Sequence, residues 1–202
     1  LNTTTGVVWN LPSAIRRGWV SQTDADAYLG QLVTSLNTNR NQTTYVPTRF
    51  LDLVTAAPVT DHEESSIDAS FLALALHNYK QQAATPAALR TSIDTLENRF
   101  DFAAFAGPGA YKQAYFQPTA SFGCCTYEGY TNENKVIALA AALSTAHNVP
   151  LASMWNKDVG RTMTSLGSTE AYLVYSYGTD YRAPFVQALL NLFVDTSERG
   201  AD

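Results

Sequence analysis

Charge is scarce in this chain. Asp, Glu, Lys and Arg make up 15% of its 202 residues, and the formal net charge is −5. There is no run of basic residues, which argues against nucleic acid and anionic membranes as default partners. Two cysteines, three histidines and no zinc-type spacing leave no framework for a structural zinc. No glycine-rich phosphate loop occurs. The longest apolar stretch, Val136 to Leu143, is far too short to span a bilayer. No cofactor and no metal are expected; the one acidic group with calcium-like composition is Asp61, Glu63 and Glu64.

Thr, Ser, Asn and Gln fill the place of the missing charge, beside a hydrophobic content of 46%. Such a composition suits a folded core rather than disorder. At this length one domain, or one half of a larger one, can bury that core. Low Lys with abundant Thr, Ser, Tyr and Asn fits an exported protein, secreted or periplasmic, and Leu1-Asn2-Thr3-Thr4-Thr5 reads like a mature or trimmed end. Asn2-Thr3-Thr4 and Asn41-Gln42-Thr43 match the glycosylation acceptor, a triplet that arises often by chance. Cys124 and Cys125 are neighbours. They are either a strained vicinal disulfide or two free, mostly buried thiols.

The apolar spacing predicts helices joined by long loops. Val7 to Gly18 carries Val8, Leu11, Ile15 and Trp19 on one side, with Pro12 in the first turn and Gly18 at the end. Ser21 or Thr23 caps a second helix whose inner stripe is Tyr28, Leu29, Leu32, Val33 and Leu36. Tyr45 to Thr60 is an extended loop or a short strand pair. A third helix runs from about Ser65 to Gln82. A fourth opens at Pro86 and buries Leu89, Ile93, Leu96 and Phe100. Tyr111 to Phe116 reads as a short hairpin strand. A fifth helix covers about 133–145, a sixth about 169–177 and a seventh about 184–195, and Trp155 lies in a loop. No composition shift divides residues 1–202, and the loose recurrence of helix pairs is the pattern of stacked helical hairpins.

The carboxylates fall at helix starts. Asp61, Glu64 and Asp68 share one face if the third helix begins early, where like charges repel. Asp68 also borders the apolar stripe of Phe71 and Leu72. The alternative is a capping box, with Ser65 as N-cap, Asp68 closing it, and Glu63 and Glu64 favouring the helix dipole. Glu128 lies between Tyr127 and Tyr130 in a loop that enters a helix with almost no charge. A helix of that kind is buried on most of its circumference, so the loop is carried on a rigid support. The competing reading of Glu128 is an exposed glutamate or an acceptor for free N–H groups near Asn132. Glu133 fits a first-turn dipole residue. Two carboxylates across a cleft are what glycosidic cleavage requires, one giving a proton to the leaving oxygen and one activating water or attacking the sugar. Tyr111, Tyr115, Tyr127, Tyr130 and Trp155 offer ring-stacking surface, or else core. His62 lies beside the acids, His77 inside an apolar helix, and His147 after the fifth helix.

Three segments carry a resemblance: Glu64-Ser-Ser-Ile-Asp-Ala-Ser-Phe-Leu-Ala-Leu-Ala-Leu, then Arg99-Phe-Asp-Phe, then Tyr127-Glu-Gly-Tyr-Thr-Asn-Glu with Ile137-Ala-Leu-Ala-Ala-Ala-Leu-Ser. Together they resemble the glucoamylase-like family of bacterial glycoside hydrolases, which includes endo-β-1,2-glucanases. The resemblance implies an all-α fold, an α/α toroid of helical hairpins around a cleft. With fewer helices than a closed double ring, this chain would be an incomplete ring or a trimmed chain, completed by a missing part of the polypeptide or a second copy. The resemblance makes Glu128 the candidate general acid. Asp68 and Glu64 are the candidate acids opposite it. Asp61, His62, Tyr127, Tyr130, Glu133 and Trp155 would contact substrate. Phe102-Ala-Ala-Phe replaces the tryptophan-rich stretch that many members carry, which bears on the sugar. The expectation is a glycosidase acting on a glucan-like polysaccharide or oligosaccharide. The alternative is a non-catalytic glycan-binding or interaction module on the same scaffold.

Overall fold

The computed structural model describes residues 2–38, 43–52, 54–55, 57–59, 63–127 and 132–151, together with two strands at 161–165 and 171–175. Helix α1 spans Asn2–Arg16, with Pro12 in its interior. The helix thus starts five residues ahead of the apolar stripe, because the polar Asn-Thr-rich end continues it. Pro12 then forfeits one intrahelical bond, where a first-turn position would have lost none. The end is as expected. Gly18 sits at φ +69°, its N–H reaching Ile15 O while Trp19 N–H reaches Ala14 O. This bond pair is a Schellman motif, and its αL position favours glycine.

Helix α2 spans Gln22–Thr38. Ser21 caps it, accepting from Asp24 N–H at 3.1 Å. Its buried stripe is Ala25, Leu29, Val33 and Leu36, while Tyr28 faces outward. A short strand β1, Glu63–Ser65, leads straight into α3, Ser66–Lys80. Ser65 has extended geometry and accepts from Asp68 N–H at 3.4 Å. The helix therefore begins after Glu64, and Glu64 and Asp68 do not share a helical face. Helix α3 is the central element, buried at Ala69, Leu72, Ala73, Ala75, Leu76 and Tyr79 and packed against α1 and α5. Helix α4, Ala87–Arg99, has Pro86 as its N-cap rather than as its first residue, and it buries the stripe read from the sequence.

Strands β2, Ala114–Phe116, and β3, Ser121–Phe122, join β1 in one antiparallel sheet of order β1-β2-β3. Glu64 lies opposite Tyr115, and Tyr115 opposite Phe122. Helix α5, Asn132–Leu143, buries Val136, Ile137, Ala138, Ala140 and Ala141. The expected helix near 169–177 is instead strand β5, Ala171–Tyr175, paired antiparallel with β4, Arg161–Ser165. Ala-Tyr-Leu-Val-Tyr is short and rich in β-branched and aromatic residues, where an apolar run cannot distinguish helix from strand by period. The all-α expectation thus gives way to a mostly helical fold with, among the described residues, two small sheets. The expected helix at 184–195 and the loop of Trp155 lie outside the described residues.

One apolar cluster unites helices α1 to α5 and the loops beside them, with Leu29, Leu36, Leu72, Leu76, Ile93, Leu96, Phe100, Phe105 and Ile137 fully enclosed. Of its polar groups, the Tyr111 hydroxyl has no hydrogen-bond partner among the described residues, whereas Tyr79 is tied. Tyr79 donates from its hydroxyl to Asp26 at 2.8 Å and accepts from Gln22 at 3.0 Å.

Candidate functional site

The chain segment 111–113 holds the starts of two buried helices together. The α3 start reaches it through Ser66, whose N–H donates to Gln113 O at 3.0 Å and whose hydroxyl donates to Lys112 O at 2.8 Å. The α5 start reaches it through Asn134, whose Oδ1 accepts from Tyr111 N–H at 2.8 Å. On its other side, Tyr127 N–H donates to Tyr111 O at 2.8 Å. The first turns that carry Asp68 and Glu133 are therefore anchored on three consecutive residues.

The acids at the α3 start are embedded. Glu64 is 0% exposed. It accepts from Gln117 Nε2 at 2.7 Å and from the Thr44 hydroxyl. A carboxylate buried this deeply requires such donors. They couple the loop at 44, strand β1 and the turn after β2. Asp68 is 4% exposed, and its Oδ2 lies 3.3 Å from Arg49 Nε. Arg49 also meets Glu63 at 3.4 Å, and its backbone N–H donates to Glu63 O at 2.6 Å. Half of the expected capping box forms: Ser65 caps, while the Asp68 carboxylate turns to Arg49. Tyr45 takes φ +55°, a left-handed conformation uncommon for a bulky residue, next to the Thr44 that holds Glu64.

At the α5 start, Glu133 is partly buried, and burial pushes its carboxyl above the ordinary range. A carboxyl raised this way keeps its proton more readily, the property a general acid needs. Tyr111, Tyr115 and Tyr127 are largely enclosed, so in this conformation they line the core rather than present faces to a ligand. His77 lies 3.5 Å from Glu97 in the α3–α4 contact. His147, after α5, meets Asp101 at 3.4 Å. Glu128, Tyr130, Asp61, His62 and Trp155 lie outside the described residues. Among the described residues no group of three or more His, Cys, Asp or Glu is arranged to hold a metal. Likewise, no helix there is long and apolar enough to cross a membrane.

Sequence reasoning missed Arg49, Thr44, Gln117 and Asn134. Their roles come from long-range pairing, with Thr44 and Gln117 meeting Glu64 across 20 and 53 residues. A usable signal existed only for Arg49, the sole cation in the otherwise uncharged stretch between Gln42 and Leu51.

The sequence matches no protein-family model and no curated protein. Solved structures do match. An endo-β-1,2-glucanase from Chitinophaga pinensis, solved with sophorotriose and glucose, superposes with a TM-score of 0.64 at 17% identity, over 87% of this chain and 44% of its own. A β-1,2-glucanase from Parabacteroides distasonis gives 0.58 at 16%, over 73% of this chain and 22% of its own. A glucoamylase-like protein from Bacteroides caccae gives 0.57 at 16%, over 78% and 41%.

The chain shares its fold with the glucoamylase-like proteins. The expected resemblance is thereby shown at the level of fold. The chain spans less than half the length of each of these structures.

Proposed function

We propose that this chain is a glycoside hydrolase that cleaves a glucan-like polysaccharide or oligosaccharide by carboxylate acid/base catalysis. The observation that carries the reading is the anchoring of the α3 and α5 first turns, which carry Asp68 and Glu133, on the one segment 111–113. Its fold neighbours include enzymes described as β-1,2-glucanases, which makes β-1,2-linked glucans the first substrates to try. In this reading Glu128 is the general acid, and Asp68 supplies the opposing carboxylate under the control of Arg49. Glu64 organises the α3 start, and Glu133 is the second candidate acid because burial favours its protonated form. Asp61, His62, Tyr127, Tyr130 and Trp155 would contact sugar. An α/α toroid closed by further polypeptide or by a second copy would complete the cleft. An exported, secreted or periplasmic location is proposed with it, on composition alone.

The burial of Glu64 and Asp68 favours a second reading, a non-catalytic glycan-binding module. Enclosed carboxylates present little surface to a substrate. One experiment separates the two. The chain and its Glu128→Gln, Glu133→Gln and Asp68→Asn variants are incubated with α- and β-linked glucans, and new reducing ends are measured. The hydrolase reading expects product from the parent and its loss in Asp68→Asn and in one of the two glutamate variants. Saturable glucan binding with no product from any of the four would select the binding module.

A further inference from the structure

We propose that Cys124 and Cys125 are a surface redox site that closes reversibly into a vicinal disulfide by exchange with a low-molecular-weight disulfide. The proposal is independent of the glycosidase reading. Both cysteines are exposed, against the expectation of buried thiols. Their sulfur atoms lie 2.7 Å apart, and they are the only two cysteines in the chain. The two thiols are thus already in direct contact, and an ordinary disulfide would join them at about 2.05 Å.

The backbone around the pair is fixed from both sides. Gly123 N–H donates to Ala114 O at 2.9 Å, and Cys125 O accepts from Gln113 N–H at 3.0 Å. Thr126 bridges to Lys112, and Tyr127 N–H reaches Tyr111 O at 2.8 Å. The main chain is thus bonded inward while the two side chains stand in solvent. Such a pinned arrangement raises the effective concentration of one thiol at the other.

The exchange balances as follows. A thiolate of the pair attacks one sulfur of glutathione disulfide, forming a mixed disulfide and expelling one glutathione thiolate. The neighbouring cysteine then attacks the protein sulfur of that mixed disulfide and expels the second glutathione. Two S–H bonds are replaced by one S–S bond, the two protons pass to the two glutathione thiolates, and the glutathione disulfide is reduced. Adjacent Cα atoms are about 3.8 Å apart, below the usual disulfide span of about 4.4–6.8 Å. The closed ring is therefore strained and belongs with the readily reduced, regulatory disulfides. The neighbouring Cys124 sulfur pushes the Cys125 thiol up, so closure should quicken as pH rises and that thiol ionises.

The test uses the whole chain equilibrated with excess glutathione disulfide, then alkylated and weighed intact. The expected result is loss of both alkylatable thiols, a mass lower by two hydrogens, a monomer on a non-reducing gel, and recovery of both thiols with dithiothreitol. Cys124→Ser and Cys125→Ser should each stop at a single glutathione adduct. Retained glutathione on the parent, a disulfide-linked dimer, or two thiols still open to alkylation would overturn the proposal. In urea the closed form should reopen at a lower concentration of reduced glutathione than in the folded chain. An equal or reversed order would overturn the part assigned to the pinned backbone.

Discussion

Replacing Glu64 by alanine tests whether the α3 start is organised by a buried carboxylate. Glu64 is wholly enclosed and takes hydrogen bonds from Gln117 and Thr44. Each bond to a charged acceptor contributes about 1.5–3 kcal/mol. Truncation also strands one buried and one partly buried donor, each left unsatisfied at a cost of about 1–3 kcal/mol. These values overlap, since both count the same lost contacts, so the expected loss is ~3–5 kcal/mol rather than their sum. For a domain of this size each kcal/mol lowers Tm by roughly 2–4 °C, which places the shift at roughly 6–20 °C.

Glu64→Gln should cost less, about 1–2 kcal/mol. The amide keeps one acceptor, and the Thr44 hydroxyl can rotate to accept from its NH2. The assay is urea unfolding followed by far-UV circular dichroism, with thermal melts beside it. An alanine variant within about 0.5 kcal/mol of the parent, the range of ordinary surface substitutions, would refute the organising role. A glutamine variant with parental stability that has lost all reducing-end production would move Glu64 from organiser to reacting group.

Three further perturbations probe other parts of the chain. Lys80→Met leaves Glu97, whose side chain is 2% exposed, without its ammonium partner; the expected cost is ~3–5 kcal/mol in urea unfolding, largely recovered in the Lys80→Met/Glu97→Leu double variant. Ser65→Ala removes the N-cap acceptor of α3 and should cost about 1 kcal/mol, while Ser65→Asp should retain most of the stability. Glu133 is raised above its ordinary value of 4.5 by burial, so the folded state holds its proton more tightly than the unfolded chain. Its contribution is present in full below that value and is lost as pH rises through the higher folded value. Glu133→Gln should therefore flatten this part of the stability profile, checked by urea midpoints across that window; an unchanged profile would refute the shift.

What was legible in the sequence was local. Gly18, Ser21 and Ser65 mark their helix ends through bonds spanning a few residues, and the Leu89, Ile93, Leu96 stripe follows one helical period. The acidic motifs, too, were found at the starts of α3 and α5. What was not legible depends on pairing at a distance. Strands β1 and β2 have three residues each and β3 has two, too few for a period of two to register. The Ala171–Tyr175 strand takes its identity from pairing with Arg161–Ser165, not from a pattern of its own. The exposure of Cys124 and Cys125 follows from main-chain bonds of 123–127 to residues 111–114, which set that stretch along a strand segment rather than inside the core.

The chain has little charge, and it buries charge at two places along α3. At the C-terminal end, Lys80 meets Asp94 and Glu97, and His77 meets Glu97. That cluster lies between two helices, and the α3–α4 contact accounts for it. At the N-terminal end, Glu63 and Asp68 meet the Arg49 guanidinium, while the neighbouring Glu64 takes hydrogen bonds from Thr44 and Gln117. Carboxylates enclosed in this way are not needed to pack a helix, and apolar residues would do so at lower cost. An acid-rich cluster fixed by a second layer of hydrogen bonds, and tied through residues 111–113 to a raised carboxyl on the next buried helix, is what proton transfer requires of a scaffold. For that reason the functional reading rests on the N-terminal end of α3 and not on the equally buried ion pairs at its other end.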